Sequence, residues 1–494
     1  RRHDGWSFLV FRDEINFVAG GSLLNSVKIL LEKGLRSLNR SRYCTNFQIS
    51  MPPNEGAANV SLTIDEQIVG LSPSPPECCV FRVHNQLRSV NEKAYEPEII
   101  AIGPYHDRSK DYLKMMEEYK LRYLRLLLDR QNDSNCQRYL DAITPLEEEA
   151  RKFYAETIKL NKRELIEMMI LDGCFIIELF RKFDTIEWRE PNDPVFKVDW
   201  IVTILQRDLL LFENQLPFRI LLKLFNMTKH PVENKSLIDL ALRVFSDLVP
   251  GPGYTQDLIR NRNYQNKHLL GLIHNNWLPS FARMEPNGDV SDTNKKTWQF
   301  IPCATNLREA GIKFKTVEEG NIKFKTIEEG KVKEDSLFDI KFKNGVMQIP
   351  RLTIENRTDS FLRNLIAYEQ YGPSNNLNYI TDYVKFMDCL ICSPKDVEIL
   401  RHYGITDNWI GDDEKVSAIF NKICDSVTGP GNHFHYAGIF NEVNIHYNKR
   451  VNRWMAKLLR NYCNSPWAFI SVMAAAVLLL LTLTQTVFTV FPRK

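Results

Sequence analysis

Four signatures of familiar chemistry are missing from this chain of 494 residues. It has no GxGxxG and no GxxxxGK[ST], the glycine-rich turns that bring backbone N–H groups onto a pyrophosphate or a nucleotide phosphate. It also lacks HExxH, which sets two imidazoles on one helix face for zinc, and GxSxG, the strained elbow that presents a nucleophilic serine. These absences count against an enzyme of a recognisable type. No cofactor is expected.

Cysteine is sparse as well. Ten cysteines, neither dense nor regularly spaced, exclude a small disulfide-stapled scaffold and favour a reducing compartment. No charge of one sign dominates: 64 basic side chains face 61 acidic ones, too close a balance to suggest a nucleic-acid surface. The first fifty residues hold no apolar run clean enough for a secretory signal. They are mildly basic and amphipathic, through Leu23, Leu24, Val27, Leu30, Leu31 and Leu35. Residues 1–50 therefore read as a targeting leader or an upstream extension, with Met51 as an alternative start.

What is present is a globular composition, 44% hydrophobic and 25% charged, and one long apolar run. From Trp467 to Val490 no side chain is charged and Gln485 is the strongly polar one. About 24 residues cover roughly 36 Å as a helix, against a bilayer core of about 30 Å. Trp467 and Phe469 at one end, and Phe488 and Phe491 at the other, supply interfacial aromatics. A C-terminal transmembrane helix is the expectation, with the lipid bilayer as a partner. Lys449, Arg450, Arg453, Lys457 and Arg460 precede it without an acid among them, which puts the body on the cytosolic side. Arg493 and Lys494 beyond it keep the opposite orientation as the alternative. With so short a tail, insertion would follow translation, as for a tail anchor.

Residues 51–76 read as a Pro/Gly/Ser-rich linker, 77–463 as a helical body and 464–494 as the anchor. In the body, Leu113, Met116, Tyr123, Leu124 and Leu127 recur at helical spacing over Tyr112–Arg130. Thr144-Pro145-Leu146-Glu147 and Asn161 with Glu164 predict two capped helix starts. The second helix, apolar almost all round, should lie at the centre. Further helices are predicted over Trp200–Phe212, Leu216–Phe225, Leu237–Leu248, 268–274, Ser360–Tyr371, Tyr379–Cys392, after Ser393-Pro394, over Asp412–Cys424, and from His435 to Tyr462. Alternation at Ile312, Phe314, Ile322, Phe324, Phe338, Ile340, Phe342, Val346 and Ile349 predicts a small inserted β element. Within it, GIKFKTVEEG and NIKFKTIEEG (311–330) are identical at eight of ten positions, a local duplication rather than a repeat architecture. The fold class is thus mainly α, with a small β insertion and one C-terminal transmembrane helix.

Candidate chemistry is thin. Cys389 and Cys392 form a lone CxxC without a second pair, and His433 and His435 lie too far along the chain to complete a convincing zinc site. Both cysteines read as buried on an apolar helix face, and Cys78-Cys79 as core or acylation sites. No metal is expected. The acids Asp172, Glu178, Glu213 and Glu369 sit in or beside apolar helical sequence, where a charge must be paired or must shift its pKa. Structural pairing is the ordinary outcome, so no catalytic residue is assigned. Asp172, Glu213 and Glu369 remain the acids on which an enzyme of unrecognised type would rest.

Several long segments resemble a plant family known as domain of unknown function 247: CCVFRVHNQLRSVNEKAYEPEIIAIGPYH (78–106), MEEYKLRYL (116–124), MMILDGCFIIELF (168–180), RDLLLFENQLPFRIL (207–221), HLLGLIH (268–274), LREAGIKFK (307–315) and SLFDIKFKNGVMQIPRLTIENRTDSFLRNLIAYEQ (336–370). The terminal span completes the resemblance, which covers about 77–490; the second IKFKT copy departs from it. It implies a helical body with a C-terminal transmembrane helix, and it supplies no catalytic residues. Some grass members of the family are associated with self-incompatibility loci, as proposed determinants of self-recognition between pollen and stigma. The expected function is membrane-anchored, non-catalytic recognition or signalling with an unidentified protein partner and no nucleic acid. The alternative is an enzyme using the buried acids.

Overall fold

The computed structural model describes residues 78–249, 266–278, 299–317, 336–372, 378–428, 434–449 and 466–490. The leader, the linker, most of the duplication (318–330), His433 and the basic residues Arg450, Arg453, Lys457 and Arg460 lie outside the described residues, as do Phe491, Arg493 and Lys494.

The described elements run in this order: α1 (Asn85–Val90), α2 (Asp111–Gln131), α3 (Gln137–Ile143), α4 (Glu147–Lys152), α5 (Lys162–Asp184), α6 (Pro194–Lys197), α7 (Asp199–Asp208), α8 (Phe218–Met227), α9 (Leu237–Val244), α10 (Leu269–Trp277) and α11 (Ala304–Glu309). Then follow β1 (Lys313–Val317), β2 (Lys341–Lys343), β3 (Val346–Pro350), β4 (Leu352–Ile354), α12 (Thr358–Gln370), α13 (Tyr379–Leu390), α14 (Pro394–His402), β5 (Thr406–Asn408), α15 (Asp413–Ile423), α16 (Ala437–Tyr447) and α17 (Pro466–Val490). The body is mainly helical with small sheets, as expected.

Helix α5 is the hub. Its start is the predicted capping box: Glu164 N–H donates to Asn161 Oδ1 at 3.0 Å, and Asn161 N–H to Glu164 Oε2 at 2.9 Å. Met169, Cys174, Phe175, Ile176, Ile177 and Phe180 are fully buried, and α2, α3, α8 and α9 pack around them. A helix apolar on every side must be surrounded, and this one is.

Two sequence expectations need correcting. Thr144 caps no helix; its hydroxyl donates back to Leu140 O at 2.7 Å, so α3 runs on through a 3₁₀ turn into α4. The helix expected over Trp200–Phe212 stops at Asp208, where the Asn214 and Gln215 amides donate to the carbonyls of Asp208, Leu209 and Leu211 that a continued helix would need for itself.

The β insertion is a three-stranded sheet in the order β1-β3-β2. β1 runs parallel to β3 and β2 antiparallel, with the Asn344-Gly345 turn at positive φ (53° and 75°) closing the β2–β3 hairpin. Phe314, Met347 and Ile349 face the core, whereas Val346, expected among the inward residues, lies on the other face in register with Lys313 and Lys343. A second sheet, β4 parallel to β5, was not legible in the sequence.

Helix α17 occupies the predicted anchor, with no acid in its first turn and no base in its last. Among the described residues no helix is long and apolar enough to cross a membrane.

Candidate functional site

The buried acids are the natural place to look for chemistry, and each is fully engaged. Asp172, on α5, receives Gly103 N–H at 2.9 Å, Arg108 Nη1 at 2.9 Å and the ammonium of Lys120 at 2.8 Å, and Lys120 is itself fully buried. Burial would raise the Asp172 carboxyl, but the Arg108 and Lys120 cations overcome it and hold the group below the usual carboxylate range. Glu178, two turns along, takes a two-pronged contact from Arg130 (2.9 and 2.6 Å) and a third from Arg181 at 3.0 Å. Glu369, on α12, accepts Ile380 N–H at 3.0 Å, Thr381 N–H at 2.8 Å and Thr381 Oγ1 at 2.6 Å, and its Oε1 meets His274 Nε2 at 2.9 Å. It thereby caps the start of α13 from a different helix.

Glu213 leads to a larger pattern. Its side chain is fully buried, accepting Val83 N–H at 2.7 Å and contacting Arg88 Nη2 at 2.5 Å and Arg82 Nη1 at 3.4 Å. The neighbouring polar residues do the same for the rest of 80–106. Asp208 accepts N–H groups from Glu98, Ile99 and Ile100 at 2.9, 2.8 and 3.1 Å. Asn214 accepts from Ile102 N–H at 2.6 Å and donates to Ile100 O at 3.0 Å. Asn364, on α12, ties both sides by accepting Phe212 N–H at 2.8 Å and donating to Ala94 O at 2.8 Å. Gly103 (φ 72°) completes the fit, since a Cβ there would stand 2.6 Å from Gln215 O. The 78–106 segment is a strap without regular structure over most of its length, and the backbone N–H groups of Val83, Glu98, Ile99, Ile100 and Ile102 are met by RDLLLFENQ side chains more than a hundred residues away.

Sequence reasoning picked out Glu213 but missed Asp208, Asn214, Gln215, Asn364 and Lys120. Their signal was polar side chains embedded in an apolar run, which marks a buried bond-maker without naming its partner.

The other candidates do not converge. Cys389 is partly buried, but Cys392 is exposed, because α13 ends at Leu390 and the second cysteine falls in the following turn; this corrects the expectation of two buried cysteines. Cys392 Sγ donates to Cys389 O at 3.6 Å. Burial pushes the thiols of Cys389 and Cys392 up to about 12 and about 11, the wrong direction for a nucleophile or a metal ligand. Cys79 is buried and Cys78 half-buried. Among the described residues no group of His, Cys, Asp or Glu is arranged to hold a metal ion. Gln485 lies exposed on α17, the backbone of Trp467, Phe469, Phe488 and Val490 is helical, and Lys449 is exposed just beyond α16.

Over 433 residues the chain is 32% identical to UPF0481 protein At3g47200 of Arabidopsis thaliana, covering 84% of this chain and 87% of that protein. It is 22% identical over 525 residues to putative UPF0481 protein At3g02645 of the same plant, covering 88% and 94%. No solved structure matches. The DUF247 family, described as plant protein of unknown function, matches residues 80–481, which takes in the strap, the segments that clamp it and the first part of α17. The chain therefore belongs to the DUF247 family of plant proteins.

Proposed function

We propose that this protein is a single-pass, C-terminally membrane-anchored recognition or signalling protein whose helical body works by binding a protein partner and not by catalysis. The observation that carries the anchor is the surface of α17. Leu478, Leu479, Leu480, Leu481 and Leu483 are each about 60% or more exposed, an apolar surface that water does not tolerate and lipid does. Its threonine hydroxyls are satisfied within the helix: Thr484 Oγ1 donates to Leu480 O at 2.6 Å and Thr486 Oγ1 to Thr482 O at 2.7 Å, and Thr482 and Thr489 bond in the same way. The basic residues before the helix favour a body on the cytosolic side.

The non-catalytic part of the reading is supported by the acids. Asp172, Glu213 and Glu369 are each saturated by cations, imidazole or backbone N–H groups, which leaves them no free valence for a substrate. Self-recognition between pollen and stigma is the specific signal to which the resemblance extends this proposal.

Carbonate extraction of membranes from cells expressing the chain with and without residues 464–494 tests the anchor. The full chain is expected to stay in the pellet and the shortened one in the supernatant; a full chain released by carbonate overturns the reading. Loss of self-pollen rejection on removing the gene is the expected result for the finer role, and unchanged rejection discards it.

A further inference from the structure

The three-stranded sheet has a charge asymmetry that its role as a support does not require. Alternation places Lys313 and Lys315 of β1 on one face, and the register puts Lys313 beside Val346 beside Lys343, and Lys315 beside Gln348 beside Lys341. Four lysines thus share one face of a sheet only three strands wide, interleaved with two uncharged residues. Lys313, Lys315 and Lys343 are exposed, and Lys341 is the one paired, with Asp339. The middle strand keeps the two lysine pairs apart, so the face concentrates positive charge without setting one lysine directly opposite another. The strands contain no acid to relieve them.

The position of this face adds the second observation. Helix α16 packs on β2, with the His446 ring 5.8 Å from that of Phe342. α16 is the last described element before α17, and it ends at Tyr447, two residues before the exposed Lys449. The segment 448–465 that joins them can reach about 60 Å at full extension and about 27 Å as a helix. The sheet therefore adjoins the helix from which this connection leaves, α16 meeting Phe342 on one face while the lysines occupy the other. The exposed acid of α16, Glu442, offsets only one of these charges.

We infer that the Lys313/Lys315/Lys341/Lys343 face of the sheet docks the body onto anionic lipid headgroups of the membrane that holds the anchor. The inference rests on the membrane-anchored reading above. A cytosolic leaflet is negatively charged, and each lysine brought to such a surface strengthens association about fivefold. A tethered body makes that attraction effective, because the tether supplies a high local concentration.

Lysine acetylation of the full chain, reconstituted in nanodiscs of neutral phosphatidylcholine or of phosphatidylcholine with phosphatidylserine, tests it. Acetylation of Lys313, Lys315 and Lys343, read by mass spectrometry, should slow at least fivefold in the anionic discs and recover at high salt. Lys114, exposed on α2, serves as the reference. Equal rates at the three lysines in both discs, with the chain retained in the discs, overturn the docking alone; a chain that elutes apart from both discs overturns the anchor instead. In K313Q/K315Q/K343Q the labelling of Lys449 in anionic discs should rise toward its neutral-disc value, and an unchanged Lys449 counts against the sheet as the docking face.

Discussion

Glu213 Oε1 accepts the Val83 backbone N–H at 2.7 Å from 130 residues away, inside the protein, with the Arg88 guanidinium on the same oxygen at 2.5 Å. One carboxylate thus holds a strap that has no ladder of its own. Glu213→Gln keeps the shape but removes the charge facing two arginines, and it should destabilise the fold by about 2–4 kcal/mol. Denaturation of the full chain measures this. A variant as stable as the wild type would mean that the carboxylate is not structural and would reopen a catalytic role.

Asp172 and Lys120 offer a sharper test, because both are fully buried and 2.8 Å apart. Asp172→Asn takes from the buried Lys120 ammonium one of its two carboxylates, Glu117 being the other, and should cost about 3–5 kcal/mol. Adding Lys120→Met removes the cation that has lost this partner, so the double variant should be less destabilised than the sum of the two by about 1–3 kcal/mol. Additive losses in the double-mutant cycle would show that the pair is not coupled.

How much of this was legible in the sequence follows from the range of each interaction. The box at Asn161 and Glu164, and the central place of α5, depend on residues within one helix and were read directly. So was the alternation of the β element, but its register is set by the Asn344-Gly345 turn, which puts Val346 on the outward face that alternation alone does not decide. The strap could not be read, because nothing local announces that Asp208 will bond Ile99 or that Asn364 will bond Ala94. The same holds for Cys392, whose exposure depends on α13 ending two residues before it.

The histidines set an acid limit on stability. Burial drives the His268 ring down to about 3 and that of His106 down to about 4. Both stay neutral in the fold, whereas an unfolded histidine takes a proton near pH 6.5, so the unfolded state binds more protons below that pH and stability falls from about pH 6.5 toward 4. Asp382 acts in the opposite sense: burial raises its carboxyl to about 7, so its contribution is present near pH 4 and is lost as the pH rises through 7. Melting temperatures of His268→Asn, which can still cap Gly271 N–H, should show a flatter decline on the acid side. Asp382→Asn removes an opposing slope between about pH 4 and 7, so it should steepen the acid-side decline. Slopes unchanged from wild type in both variants would assign the pH dependence elsewhere.

Cys392 is exposed but should be sluggish. With its thiol at about 11, alkylation by iodoacetamide at pH 7.5 should run tens of times slower than at an ordinary cysteine, and should rise about tenfold per pH unit up to pH 10. Peptide mapping gives the rate, and fast labelling at neutral pH would point to a redox or metal role that the geometry does not support.

Gly345 links the lysine face to the helix that leads toward the anchor. It sits at φ 75° in the hairpin turn, and a Cβ there would stand 2.8 Å from the His446 ring. Gly345→Ala therefore carries two penalties, the left-handed backbone and a collision with a ring wedged between the turn and α16, together about 2–3 kcal/mol. His446→Ala removes the ring and leaves the backbone penalty. Combining the two should restore about half of the loss, and hydrogen exchange of β2, β3 and α16 should follow the same order. If the pair instead loses more than Gly345→Ala alone, His446 holds the hairpin by its own packing against Phe342, and the glycine serves only the turn.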